Sequence, residues 1–189
     1  MSPATVGEIA VSGLFVFEHA RHAQWVRPLL PRLPRIAGQP LWIRTRPGLI
    51  DRRGPVHAGA FLRSRTIMLN CSREEFARVF VHELFHYVWL RLGNPRRWSY
   101  EDLIDAELAA HARGELGWSA EWRKGALAAA HRRNRSRIWR EYCCESFCDS
   151  AAWLYSGRRV HEEFTLAQRF RTRRRDWFTH IAEGGPLSI

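Results

Sequence analysis

The stretch from Ser72 to Gly93, SREEFARVFVHELFHYVWLRLG, constrains this chain more than any other. Ser72 followed three residues later by Glu75 is the pattern of a capping box, in which two side chains satisfy backbone N–H groups of a helix's first turn. Gly93-Asn94-Pro95 supplies a C-cap and then a residue that cannot continue the helix. Between these stops, apolar residues from Phe76 to Leu92 cover nearly the whole circumference, as in a buried helix. His82, Glu83 and His86 sit in its middle. A carboxylate in so apolar a setting is costly unless a cation or hydrogen bonds compensate it. Four residues make a little over one turn, so His82 and His86 project from one face, where two imidazoles can hold one Zn²⁺. Glu83 points about 100° away around the helix. That places it beside such a metal rather than on it, in the position of a general base.

A catalytic zinc site has three protein ligands and one open position. Ser136 to Gly157, SRIWREYCCESFCDSAAWLYSG, reads as a second capped, half-apolar helix. Glu141, Glu145 and Asp149 fall on one of its faces, at i, i+4 and i+8. Three acids on such a stripe repel one another without a cation. Glu145 is therefore the expected third ligand. Asp149, one turn on, is expected to orient a ligating histidine through its other ring nitrogen. The plainer alternative is a solvated acidic face paired with arginines.

HELFH on one helix and ESFCDSAAWL on a later one resemble the gluzincin metallopeptidases, and among them the minigluzincins with their ImmA/IrrE-type proteins. The resemblance runs from about Gly59 to Gly157, and its specific part is the H-E-x-x-H motif. It implies His82, His86 and Glu145 as ligands and Glu83 as base. It also implies that the strand before the motif helix borders the cleft, where a free edge would pair with an extended peptide. Phe147 and Asp149 depart from the ImmA/IrrE pattern, and the Glu-x-x-x-Asp spacing is nearer the wider gluzincin one.

At 189 residues, 46% of them hydrophobic, the chain is long enough for one domain with its own core, taken as about 38–157. It contains no run of 18 apolar residues, so no membrane-spanning helix is expected, and Ile9 to Phe17 lacks the basic flank of a signal peptide. Cys71, Cys143, Cys144 and Cys148 are read as reduced thiols in a cytoplasm, because three of them crowd one helix with poor disulfide geometry. The net charge of +11 permits weak, non-specific nucleic-acid binding without identifying a partner. Lys124 is the one lysine among 30 basic side chains, a bias that codon composition can produce as readily as function.

In chain order, a helix is expected over 15–30, with His19 and His22 as a surface pair on it. Strands are expected over Gln39–Arg46 and Ala60–Asn70, the second running straight into the motif helix. Helices are expected over Tyr100–Arg113, starting at a Ser99 cap, and over Ala120–Ala130. A last, arginine-coated helix over 165–181 is expected to pack as a lid. The resulting architecture is α+β and mostly helical, zincin-like, with an antiparallel sheet of about three strands over the motif helix. The chemistry expected of it is zinc-dependent hydrolysis of a peptide or protein substrate, with His161 as a candidate oxyanion donor. Two other classes fit parts of the pattern. One is a SprT-like, DNA-associated zinc protease in which His111 replaces Glu145. The other is a non-enzymatic domain that keeps zinc for folding or sensing.

Overall fold

The computed structural model describes residues 8–51 and 54–189. Strands β1 (Ile9–Val11) and β2 (Phe15–Phe17) form an antiparallel hairpin. The helix that follows, α1 (Ala20–Val26), is short, and a 3-10 turn over Arg27–Arg32 takes its place where Pro28 and Pro31 interrupt the backbone donors. The helix expected over 15–30 is thus a strand, one helix of seven residues and a turn. Phe15 and Phe17 alternate with Val16, bury themselves against Phe80, and commit the first part to the sheet.

Next come β3 (Ile36–Ala37), β4 (Leu41–Thr45) and a two-residue pairing of β5 (Ile50–Asp51) with β6 (Gly54–Pro55). The strand expected over Ala60–Asn70 is two strands, β7 (Ala58–Phe61) and β8 (Thr66–Leu69). They turn back on each other through a 3-10 turn at Leu62–Ser64 and Arg65, which adopts a left-handed φ of 50°. The main sheet is mixed and five-stranded, in the order β1-β2-β4-β8-β7. The β2–β4 and β4–β8 pairings are parallel, and only the outer pairs are antiparallel. This corrects the expected three-stranded antiparallel sheet. The strand running into the motif helix, β8, is interior, and β7 forms the edge.

Helix α2 (Arg73–Arg91) carries the motif. Ser72 precedes it, but its side chain makes no cap bond. Glu75 instead meets Arg78, Arg158 and His161. Gly93, at φ 78°, ends α2 and at once begins α3 (Asn94–Ala109), with Pro95 in the first turn. Ser99 lies inside α3 and donates to the Arg96 carbonyl, so the helix starts six residues before the expected Tyr100. The helix expected over 120–130 is split into α4 (Trp118–Gly125) and α5 (Ala129–Arg133). Helix α6 (Arg137–Tyr155) begins at Ser136, whose hydroxyl accepts the Trp139 N–H. Helix α7 (Gln168–Glu183) and β9 (Leu187–Ser188), paired in parallel with β3, complete the chain.

The fold is α+β and mostly helical, 55% helix with 15% strand. Phe15, Phe17, Leu41, Ile43, Ile67 and Leu69 come from the sheet, each at most 1% exposed, and share one core with α2. Helix α6 packs most extensively of all against α2. The core runs from Val11 to Ile189, beyond the 38–157 expected. Helix α7 stacks Phe178 on Phe147 of α6, with ring centroids 4.9 Å apart, and buries Arg174 completely against Glu107 and Glu115. It buttresses α3 and α6 and contributes nothing to the cleft, so it is no lid. Among the described residues no helix is long and apolar enough to cross a membrane.

Candidate metal centre

Two helices build the site. Helix α2 lies between the sheet and α6, and His82, Glu83 and His86 on it line an open cleft. The acidic stripe of α6 divides by burial. Glu141 stands in solvent and pairs with Arg137 at 2.7 Å, while Glu145 and Asp149 face α2.

The Nε2 atoms of His82 and His86 lie 3.2 Å apart. The Oε2 atom of Glu145 lies 3.3 Å from the first and 3.9 Å from the second. A tetrahedral ion with bonds of about 2.0–2.1 Å has ligand-to-ligand edges of about 3.3 Å. The donor set and its spacing therefore fit zinc. Side-chain exposures of 12, 19 and 14% for His82, His86 and Glu145 leave the three atoms sheltered yet open to the cleft.

The electrostatics point the same way. Burial works against a charged His82, yet Asp149 and Glu145 overcome it and hold its pKa well above the usual imidazole range. Burial likewise opposes a charged His86, but Cys144, Glu145 and Glu83 raise it to about 9. Glu145, despite its burial, is pulled down to about 2 by His82, His86 and Arg123. The carboxylates of Glu145, Asp149 and Glu83 thus offset the cost of burying positive charge beside the two imidazoles.

A second layer fixes these side chains. Asp149, 2% exposed, holds His82 Nδ1 at 2.7 Å with Oδ1, which leaves Nε2 to face the cleft. Its Oδ2 accepts the Ala120 N–H at 3.0 Å. Gly117 makes this approach possible, because a Cβ there would overlap the Asp149 carboxylate. Arg123 of α4 donates from Nη2 to Glu145 Oε1 at 2.9 Å, so one carboxylate oxygen is held by arginine and the other faces the histidines.

The cleft above has a volume of about 490 Å³. Helix α2 and Glu145 form its floor, β7 one wall, and Trp118, Ser119 and Glu163 the other. Glu83, 9% exposed, lines it beside the two histidines. Ile50, Phe61, Leu62 and Trp118 give it an exposed apolar mouth.

The five residues expected at the site, His82, Glu83, His86, Glu145 and Asp149, come together as described. His161 does not join them. Its Nδ1 accepts the Glu163 N–H, its Nε2 faces Glu75 at 3.5 Å, and it does not line the cleft. His111 is exposed in a left-handed turn after α3. His22, expected on the surface, is 3% exposed and stacked on Phe76, with ring centroids 5.7 Å apart. Sequence reasoning missed Arg123 and Gly117, whose α4 is brought to the site only by tertiary packing on α6. No protein-family model, curated protein or solved structure matches the chain.

Proposed function

We propose that this protein is a zinc-dependent metalloendopeptidase of gluzincin type. The observation that carries the reading is the convergence of His82 Nε2, His86 Nε2 and Glu145 Oε2 at tetrahedral-edge distances, with Glu83 beside them on the floor of an open cleft. A zinc ion held by these atoms would supply a Lewis acid for the scissile carbonyl and an acidified water. The chain supplies the rest. The Glu83 carboxylate takes a proton from the attacking water and returns it to the leaving amine nitrogen. Asp149 keeps the His82 ring in the tautomer and orientation that present Nε2. Strand β7 offers a main-chain edge to an extended substrate. The apolar mouth formed by Ile50, Phe61, Leu62 and Trp118 suits apolar side chains on that substrate, which is a peptide or an unfolded protein. Cys71, Cys143, Cys144 and Cys148 are all free thiols, which suits a reducing compartment such as the cytoplasm.

The test compares zinc content and peptide cleavage in three variants. Glu83→Gln is expected to keep zinc and lose about 10²–10⁴-fold in cleavage rate. Glu145→Ala is expected to lose zinc, and His111→Ala to keep it. Cleavage by Glu83→Gln at the parent rate would remove Glu83 as base. Zinc loss in His111→Ala with retention in Glu145→Ala would favour the SprT-like arrangement.

A further inference from the structure

His86 has two ring nitrogens, and the site described above uses one. Its Nδ1 faces away from His82 toward Cys144 Sγ of α6, at 3.5 Å. Cys148 lies one turn further along the same face. A ring nitrogen of His86 and the two sulfurs all fall within 4.8 Å of one another. We propose that His86 Nδ1, Cys144 Sγ and Cys148 Sγ form a second metal site, selective for a soft d¹⁰ ion, on the far side of the His86 ring from His82 and Glu145.

The geometry carries the proposal. A tetrahedral ion with a thiolate at about 2.3 Å and an imidazole at about 2.0–2.1 Å has a sulfur-to-nitrogen edge of about 3.5 Å, the distance found here. Residues four apart on a helix have Cβ atoms about 5–6 Å apart, beyond the roughly 3.5–4.5 Å that a disulfide needs. Cys144 and Cys148 therefore bridge far more easily through an ion than to each other, and both are free thiols. Two sulfurs and one imidazole are a soft donor set, whereas His82, His86 and Glu145 are a borderline one, so the two groups sort ions by chemistry. Cys148 is fully buried and Cys144 partly exposed, so an ion would enter past Cys144.

Filling this site would leave both sulfurs as thiolates and His86 Nδ1 without a proton, the displaced protons passing to solvent. The inference uses the placement of α6 against α2 and stands whether or not the protein cleaves peptides.

The experiment titrates Cd²⁺ into the reduced, metal-free full chain. It follows thiolate-to-metal charge-transfer absorbance in the ultraviolet and counts bound metal per chain. The parent protein should develop the band and saturate it with one cadmium. Cys144→Ser and Cys148→Ala should each weaken that event by about tenfold or more. His82→Ala should lose a borderline ion from the first site and keep the sulfur band. Cys71→Ser should leave the band unchanged. Far-ultraviolet circular dichroism checks folding, and Cys144→Ser, at the partly exposed position, decides the matter if the buried Cys148→Ala is misfolded. No band in the parent, or a band that Cys144→Ser leaves at the parent's cadmium affinity, would overturn the proposal. A band abolished by His82→Ala would also overturn it, because there would then be one shared site and not two. No arm depends on turnover, so failure of the peptidase reading has a different signature.

Discussion

Asp149 divides its carboxylate between two tasks, and Gly117 decides whether it can do both. One oxygen orients His82 and the other accepts the Ala120 N–H in the first turn of α4. A methyl group at residue 117 would occupy the carboxylate's place. Gly117→Ala must therefore push Asp149 off His82 or push α4 off α6. Either move is expected to lower zinc affinity by about 10–100-fold, with a stability loss of about 1–3 kcal/mol. Competition against a chromophoric chelator and thermal denaturation measure the two effects. Gly125→Ala is the control, since nothing lies within 4 Å of a Cβ there. Equal behaviour of the two variants would show that the Gly117 contact has no consequence for the site.

At the scale of elements, α2 and α6 were legible because their information is local. Ser136 and the i, i+4 stripe of acids lie within one helix, and the motif lies within another. Strands were legible only in part. Nothing like Asn-Gly marks the β7–β8 turn, where Arg65 takes the left-handed conformation, so two strands read as one. The parallel β2–β4–β8 order depends on contacts remote in sequence and leaves no local pattern. The identity of the edge strand, which bears directly on function, was lost with it. The Asn70 N–H donates to the His57 carbonyl, and the register then places Gly59 and Phe61 on the ladder side of β7. The backbone groups of Ala58 and Ala60 face the free edge. Ala60→Pro removes an edge donor without breaking a ladder bond. It is expected to lower kcat/KM for an extended peptide about 2- to 12-fold, the value of one main-chain hydrogen bond, while zinc content is kept. Unchanged kcat/KM would mean that substrate does not pair with β7.

Helix α1 offers a pH test of packing remote from the site. Burial first, then Arg21 and His19, hold the His22 pKa down at about 4 against an ordinary 6.5. The folded chain keeps this ring neutral, while the unfolded chain takes up a proton below 6.5. Stability should therefore fall as pH drops from 6.5 and level off below about 4, by on the order of 1–3 kcal/mol from this group. Denaturant melts at pH 7, 5 and 4 should show a shallower decline for His22→Phe than for the parent. Parallel declines would show that His22 titrates alike in both states.

Over the whole molecule, the arginines divide into a bound class and a dispersed one. Arg174 is enclosed by Glu107 and Glu115. Burial wins over Arg174 at Glu107 and raises its pKa, whereas Arg174, Lys124 and Tyr142 hold Glu115 down despite its burial. Arg78, Arg123, Arg132, Arg135, Arg137 and Arg158 are also committed to acids. The remainder lie on every segment from Arg21 to Arg175. A net charge of +11 spread in this way attracts phosphates by counterion release, without an element that aims side chains at base edges. Binding to DNA should therefore be weak, fall steeply between low and physiological salt, and be equal for unrelated duplexes. Because His82, His86 and Glu145 sit in a cleft where, among the described residues, the lining arginines Arg78 and Arg123 are held by carboxylates, DNA should leave peptide cleavage unchanged. The assay is cleavage of an unstructured protein with and without single-stranded or duplex DNA at near-physiological salt. Strong stimulation by DNA would mean that the dispersed charge is wired to the site, and the DNA-associated protease class would then take precedence.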